Sequence, residues 1–208
     1  MVVCSVEEHI TMAQTLTPSR MEAFSDGVIA VIITIMVLDL KVPTLLDQPN
    51  HLIAIRAELP QLLVYLLSFI QIGICWVNHH YLVDDLDHVS HGVLWANLAF
   101  LFCLSLIPLG TEWVGTRGVQ PIPVAIYSST FVIASIAWLV LASTICSRSG
   151  IRPAAGPLKQ GLSAIINVAS IAVAFRSPWA ALAMIAAIAI WWLLPPRRIL
   201  EQTRTHPR

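Results

Sequence analysis

Ser25, Asp26 and His79 are the side-chain types of a hydrolytic triad, and a dense His/Asp run starts at the last of them: His79, His80, Asp84, Asp85, Asp87, His88 and His91. A Ser, an Asp and a His can activate a nucleophile, and His with Asp can ligate zinc or manganese. Neither set has the disposition its chemistry requires. Ser25 and Asp26 are adjacent, so on a helix they point about 100° apart. The His/Asp run matches no fixed tetrahedral spacing and reads as a solvated loop at a membrane surface. No enzyme is expected, and no cofactor or metal. The loop does keep a divalent-metal or other small-cation transporter as the alternative reading. Such transporters bind their substrate near the midplane, often with ionisable groups, and the apolar runs here carry none at their centres. Cys4, Cys75, Cys103 and Cys146 show no CxxC spacing, and those in apolar runs read as small buried hydrophobes.

The elements that must position these residues are membrane helices. Of 208 residues, 57% are hydrophobic and 12% charged, with mean hydropathy +0.76. A soluble domain carries about 25% charged residues, so most of this surface belongs in lipid. Zero formal net charge suggests no nucleic-acid partner. A helix needs about 20 apolar residues to cross a bilayer. Six runs qualify, near 22–40, 60–82, 92–113, 121–145, 158–175 and 178–196. The expected fold class is all-α, a polytopic membrane protein of six transmembrane helices. Residues 1–19 form an N-terminal cytoplasmic tail, 20–196 the membrane domain and 197–208 a basic C-terminal cytoplasmic tail. Orientation follows from Lys and Arg. With the N-terminus inside, eight (Arg20, Arg148, Arg152, Lys159, Arg197, Arg198, Arg204, Arg208) are internal and four (Lys41, Arg56, Arg117, Arg176) external. That bias puts both termini in the cytoplasm; the expected location is the inner (plasma) membrane.

Polar residues within the spans then stand out. Asp26 lies about one turn inside the first, where an ionised carboxylate is costly without partners. It is either an interfacial cap or part of a functional network, with Arg20 the nearest cation. His79 ends the second span and Asn97 opens the third, at the same depth as Asp26. Arg20, Ser25, Asp26, His79 and Asn97 can therefore meet in one polar cluster, each satisfying another.

The string Arg20-x-x-x-Phe24-Ser25-Asp26 resembles the opening signature of the transmembrane protein 175 family, the potassium channels of lysosomes and their bacterial relatives. Trp76-x-x-His79 and Asn97-Leu98 followed by Pro108 continue the likeness, which covers residues 20–108. The resemblance implies a potassium-selective, leak-like channel with six helices per repeat. It further implies a homotetramer of single-repeat chains, with the first helix lining a central pore. A hydrophobic constriction replaces a carbonyl filter, and no Thr-Val-Gly-Tyr-Gly filter sequence is present.

The resemblance maps that constriction onto Val31, Ile35 and Leu38, with Thr34 beside it. Helical periodicity independently places these three on one face through i, i+4 and i+7 spacing, which is also the pattern of a helix-packing surface. Asp26 lies about 140° round from Val31 and so is expected to face neighbouring helices. Asp39, at the outer end, is either a cation-concentrating group or an ordinary interfacial charge beside Lys41.

Overall fold

The computed structural model describes residues 17–40, 51–151, 153 and 156–193, without the side chains of Asp39 and residues 51–57. Every regular element among them is helical. The first helix, α1, is Pro18–Ile35 and ends in a 3₁₀ turn, Met36–Asp39. It is followed by α2 His51–Val83, α3 His91–Ser105 and α4 Ile107–Arg117. The chain continues with α5 Pro121–Ser149, α6 Pro157–Ala174 and α7 Pro178–Leu193. Proline opens α1, α5 and α6, where its missing N–H costs nothing. Five stretches are long and apolar enough to cross a membrane: Pro18–Leu38, Glu58–Val83, His91–Arg117, Pro121–Ser149 and Pro157–Ala174. The sixth, α7, has 16 described residues. That is about 24 Å of helix, short of the ~30 Å hydrocarbon core.

Two expectations change here. Residues 92–113 are not one helix: α3 and α4 meet at Leu106, whose N–H bonds back to Cys103 O at 3.3 Å. Pro108 has no N–H to offer the carbonyl of Leu104, so the regular ladder breaks beside it. The first helix begins at Pro18, with Thr17 at its N-cap position, so Asp26 lies about two turns inside rather than one. That removes the interfacial-cap reading. The segments 1–16 and 194–208, Cys4 and Lys41 lie outside the described residues.

Helix α5 is the hub and packs against α3, α4, α6 and α7. Small residues let it approach its neighbours. A Cβ on Gly110 of α4 would sit 3.1 Å from the Tyr127 Cα of α5, closer than ordinary packing allows. Beside that contact, Ser68 Oγ lies 2.7 Å from Thr111 Oγ1 and 2.9 Å from Tyr127 OH, a buried knot joining α2, α4 and α5. The α6–α7 hairpin turns through Arg176 and Ser177, whose N–H groups both bond Val173 O, before Pro178 restarts the chain. Outer faces are apolar: Phe102, Ile136 and Ile165 are all exposed. Such an arrangement suits lipid as solvent.

Helix α1 stands to one side. Its N-terminal part packs on α2 and α3, and its 3₁₀ turn on α4. It buries Met21, Ser25, Ile29, Ile32 and Met36, one stripe at intervals of three and four.

Candidate functional site

The buried stripe of α1 carries one polar residue, Ser25, and three elements cooperate to satisfy it. Ser25 Oγ–H donates to Met21 O at 2.8 Å, spending its only proton. It can then only accept, which Asn97 Nδ2 of α3 exploits at 2.8 Å. That leaves Asn97 Oδ1 as an acceptor, and His79 Nε2 of α2 lies 2.7 Å from it. His79 Nε2 must therefore carry a proton and donate. The chain of donors runs one way, from His79 through Asn97 and Ser25 to a carbonyl. His79 is fully buried and stacks on Phe100 at 5.9 Å with rings 7° from parallel, and its Nδ1 has no partner among the described residues.

A second linkage lies nearer the surface. Trp76 Nε1–H donates to Asp26 Oδ1 at 2.8 Å, and His80 Nδ1 donates to Glu22 Oε1 at 2.7 Å. Glu22 and Asp26 are four apart on α1, as are Trp76 and His80 on α2, so each pair shares a face. The Trp76 and His80 rings also stack, at 6.0 Å. Two rungs thus clamp α1 to α2. Sequence reasoning missed Glu22 and read His80 only as part of the His/Asp loop. The signal was this matched i, i+4 spacing of donors on one helix and carboxylates on the other.

Asp26 turns to neighbouring helices, but its partner is Trp76 and not Arg20. Arg20 is exposed and forms no ion pair with any described residue. Because helix α1 is continuous from Pro18, six residues separate the two by about 120° round the axis and about 9 Å along it. A guanidinium cannot turn that corner while staying in water. Phe24, also in the signature string, is 54% exposed, about 100° round the helix from the buried stripe.

The same flank carries the stripe Val31, Ile35 and Leu38, exposed at 61%, 49% and 79%. Ile33, two residues before Ile35, is instead packed against the core. Thr34 is exposed, and its hydroxyl proton is occupied by the carbonyls of Ala30 at 2.9 Å and Val31 at 3.1 Å. Its oxygen is left to act as an acceptor. Beside the stripe runs a seam of small exposed residues, Ala23, Gly27, Ala30 and Thr34.

The His/Asp loop is open. Asp84, Asp85, Asp87, His88 and His91 are exposed, and no three His, Cys, Asp or Glu among the described residues converge as metal ligands. His79 and His80, its first members, are engaged in the two linkages above.

Comparison with known proteins places this arrangement. The profile of the family described as "Endosomal/lysosomal potassium channel TMEM175" matches residues 20–108, from Arg20 to Pro108, just past the break at Leu106. A potassium channel of Chryseobacterium sp. (strain P1-3) is 41% identical over 189 residues, 88% of this chain and 96% of that relative. The "Endosomal/lysosomal proton channel TMEM175" of Mus musculus is 30% identical over 120 residues, 54% of this chain and 24% of its own length. Among solved structures, a lysosomal potassium-selective channel TMEM175 homolog from Chamaesiphon minutus superposes with a TM-score of 0.77 at 24% identity. That superposition covers 85% of this chain and 96% of the other. With a relative this similar over nearly its whole length, the chain belongs to the TMEM175 family of endosomal/lysosomal potassium channels and their bacterial relatives.

Proposed function

We propose that this chain is the subunit of a passive potassium channel in the inner membrane. Both termini are cytoplasmic, and α1 from four copies lines an axial pore. The supporting observation is the two-sidedness of α1: one face anchored by buried residues and hydrogen bonds, the other presenting Val31, Ile35 and Leu38, each about half or more exposed among the described residues. Exposed apolar residues occur on every outer helix, where lipid covers them. Beside the α1 stripe runs the small-residue seam Ala23, Gly27, Ala30 and Thr34, which allows another backbone to approach closely. A second copy of α1 is the natural occupant, and cyclic repetition then brings the apolar stripe to an axis. The bacterial relative named a potassium channel supplies the ion.

Rings of Val31, Ile35 and Leu38 offer no ligands to replace a hydration shell, so they gate by wetting and drying. Thr34 Oγ is the polar acceptor nearest these rings. Potassium flux and reversal potentials of purified protein in liposomes test the reading. Potassium-selective current that persists without a proton or sodium gradient is the expected result. Current carried by protons alone, or transport that stops when either gradient is removed, refutes it.

A further inference from the structure

A cavity of about 90 Å³ lies between α2, α5, α6 and α7, and none of its lining residues belongs to α1. We propose that it binds a small neutral amphiphile bearing a hydrogen-bond donor, an alcohol or a phenol. The site is separate from the permeation path assigned to α1 and stands whether or not that assignment holds.

Gln71 and Asn78 lie two turns apart on α2 and face the cavity together with Ser135 of α5 and Asn167 of α6. Polar side chains within a membrane bundle are costly unless they serve packing or a ligand. Here the donors serve packing. Gln71 Nε2 donates to Ile185 O at 3.4 Å, Asn78 Nδ2 to Ile74 O at 2.7 Å, and Asn167 Nδ2 to Ser135 Oγ at 3.2 Å. Each amide spends an N–H on the protein, and no described residue donates to its oxygen. Asn167 is 5% exposed, and its Oδ1 has no partner among the described residues. An unsatisfied acceptor at that depth is stabilised by any molecule that brings a donor to it.

The rest of the lining sets the remaining chemistry. Among the described residues no carboxylate, Lys or Arg lines the cavity, and the nearby Lys159 ammonium lies over the Trp192 ring at 4.7 Å, so the walls themselves compensate no charged ligand. Ile74, Leu139 and Ile188 supply aliphatic walls, and Phe131, Trp138 and Trp192 aromatic ones. Trp192 Nε1 is already committed to Ser163 Oγ at 2.8 Å, so its indole contributes only its ring. Apolar walls with a few convergent acceptors select a neutral molecule with an apolar body and one O–H or N–H. The volume admits a body of a few heavy atoms and exceeds what a single water needs.

The test uses 2,2,2-tribromoethanol, whose bromines quench tryptophan and whose hydroxyl donates. Full-length protein in phosphatidylcholine vesicles should show saturable quenching above the linear background caused by partition into lipid. The saturable part should vanish in Trp138→Phe/Trp192→Phe, while the other five of the seven tryptophans still report the linear part. Asn167→Leu should weaken the saturable affinity about five- to tenfold, the loss of one buried hydrogen bond. Asn78→Leu, which removes a different oxygen from the same wall, should weaken it in the same direction. 1,1,1-Tribromoethane, with the same body and no hydroxyl, should bind correspondingly less well. Purely linear quenching in the unaltered protein overturns the proposal. So does equal saturable quenching by the two bromides, or an unchanged affinity in Asn167→Leu or Asn78→Leu.

Discussion

The two linkages that fasten α1 differ in what their loss costs, and burial decides which matters more. Asn97 is 1% exposed and bonds two other fully buried side chains, so Asn97→Ala strands His79 Nε2–H and the Ser25 acceptor where water cannot reach them. Each unmet group costs about 1–3 kcal/mol. Trp76 is 41% exposed, and water can replace its indole on Asp26, so Trp76→Phe should cost under about 1 kcal/mol. Thermal unfolding of the detergent-solubilised protein should therefore rank Asn97→Ala well below Trp76→Phe. Equal losses would mean that the buried chain is not what holds α1. Asp26→Ala should reduce assembly or open probability while leaving ion preference unchanged in the channels that remain, because its carboxylate turns away from the exposed stripe. Normal yield with altered selectivity would place Asp26 in the pore. That Ser25, His79 and Asn97 could meet was legible from equal depth in three spans, and Asp26's direction from helical geometry. Its partner was not, because charge pointed to Arg20 whereas register and solvent access give Trp76.

At the scale of elements, the helices were legible from apolar run length, and their joints were not. Composition counts hydrophobes across residues 92–113 without registering that Pro108 removes one ladder bond, so a kinked pair of helices reads as one. The polar knot of Ser68, Thr111 and Tyr127 was equally hidden, since each residue alone looks like an ordinary span residue; only the close approach at Gly110 brings α4 against α5. Gly110→Leu should consequently be among the most disruptive small-residue changes, forcing α4 off Tyr127 and lowering yield severalfold in a solubility assay. For α1, faces make the prediction. If the exposed stripe lines the axis, Leu38→Asn and Ile35→Asn would place polar rings in a segment that otherwise dries, raising conductance and weakening discrimination among monovalent cations. Ile33→Asn, about 160° from Ile35, would bury an amide among core residues and should lower stability without raising conductance. If Ile33→Asn raised conductance and the other two did not, the pore face would be misassigned.

For the whole molecule, one copy of α1 cannot enclose a path, so any pore on its exposed face must be shared between chains. Sharing has a consequence that a mixture of subunits reveals. Suppose unaltered chains are co-expressed with Leu38→Asn chains that conduct more. If each chain formed its own pore, single-channel recordings would contain only the two parental conductances, in proportion to expression. If the pore lies on a symmetry axis, every channel samples both chains and intermediate levels must appear. The number of compositions is one more than the number of subunits round the axis: three for a twofold assembly and five for a fourfold one. Their abundances follow a binomial distribution when the two chains assemble without preference. Leu38 suits the experiment because it is 79% exposed and touches little of its own chain, so its replacement should leave each subunit's fold intact, and the abundances themselves report any bias in assembly. A fourfold channel predicts that, at equal expression, each parental level accounts for about one channel in sixteen, with the commonest class carrying two chains of each kind. Two levels only would exclude a shared pore, and three would halve the assembly while leaving the stripe on its axis.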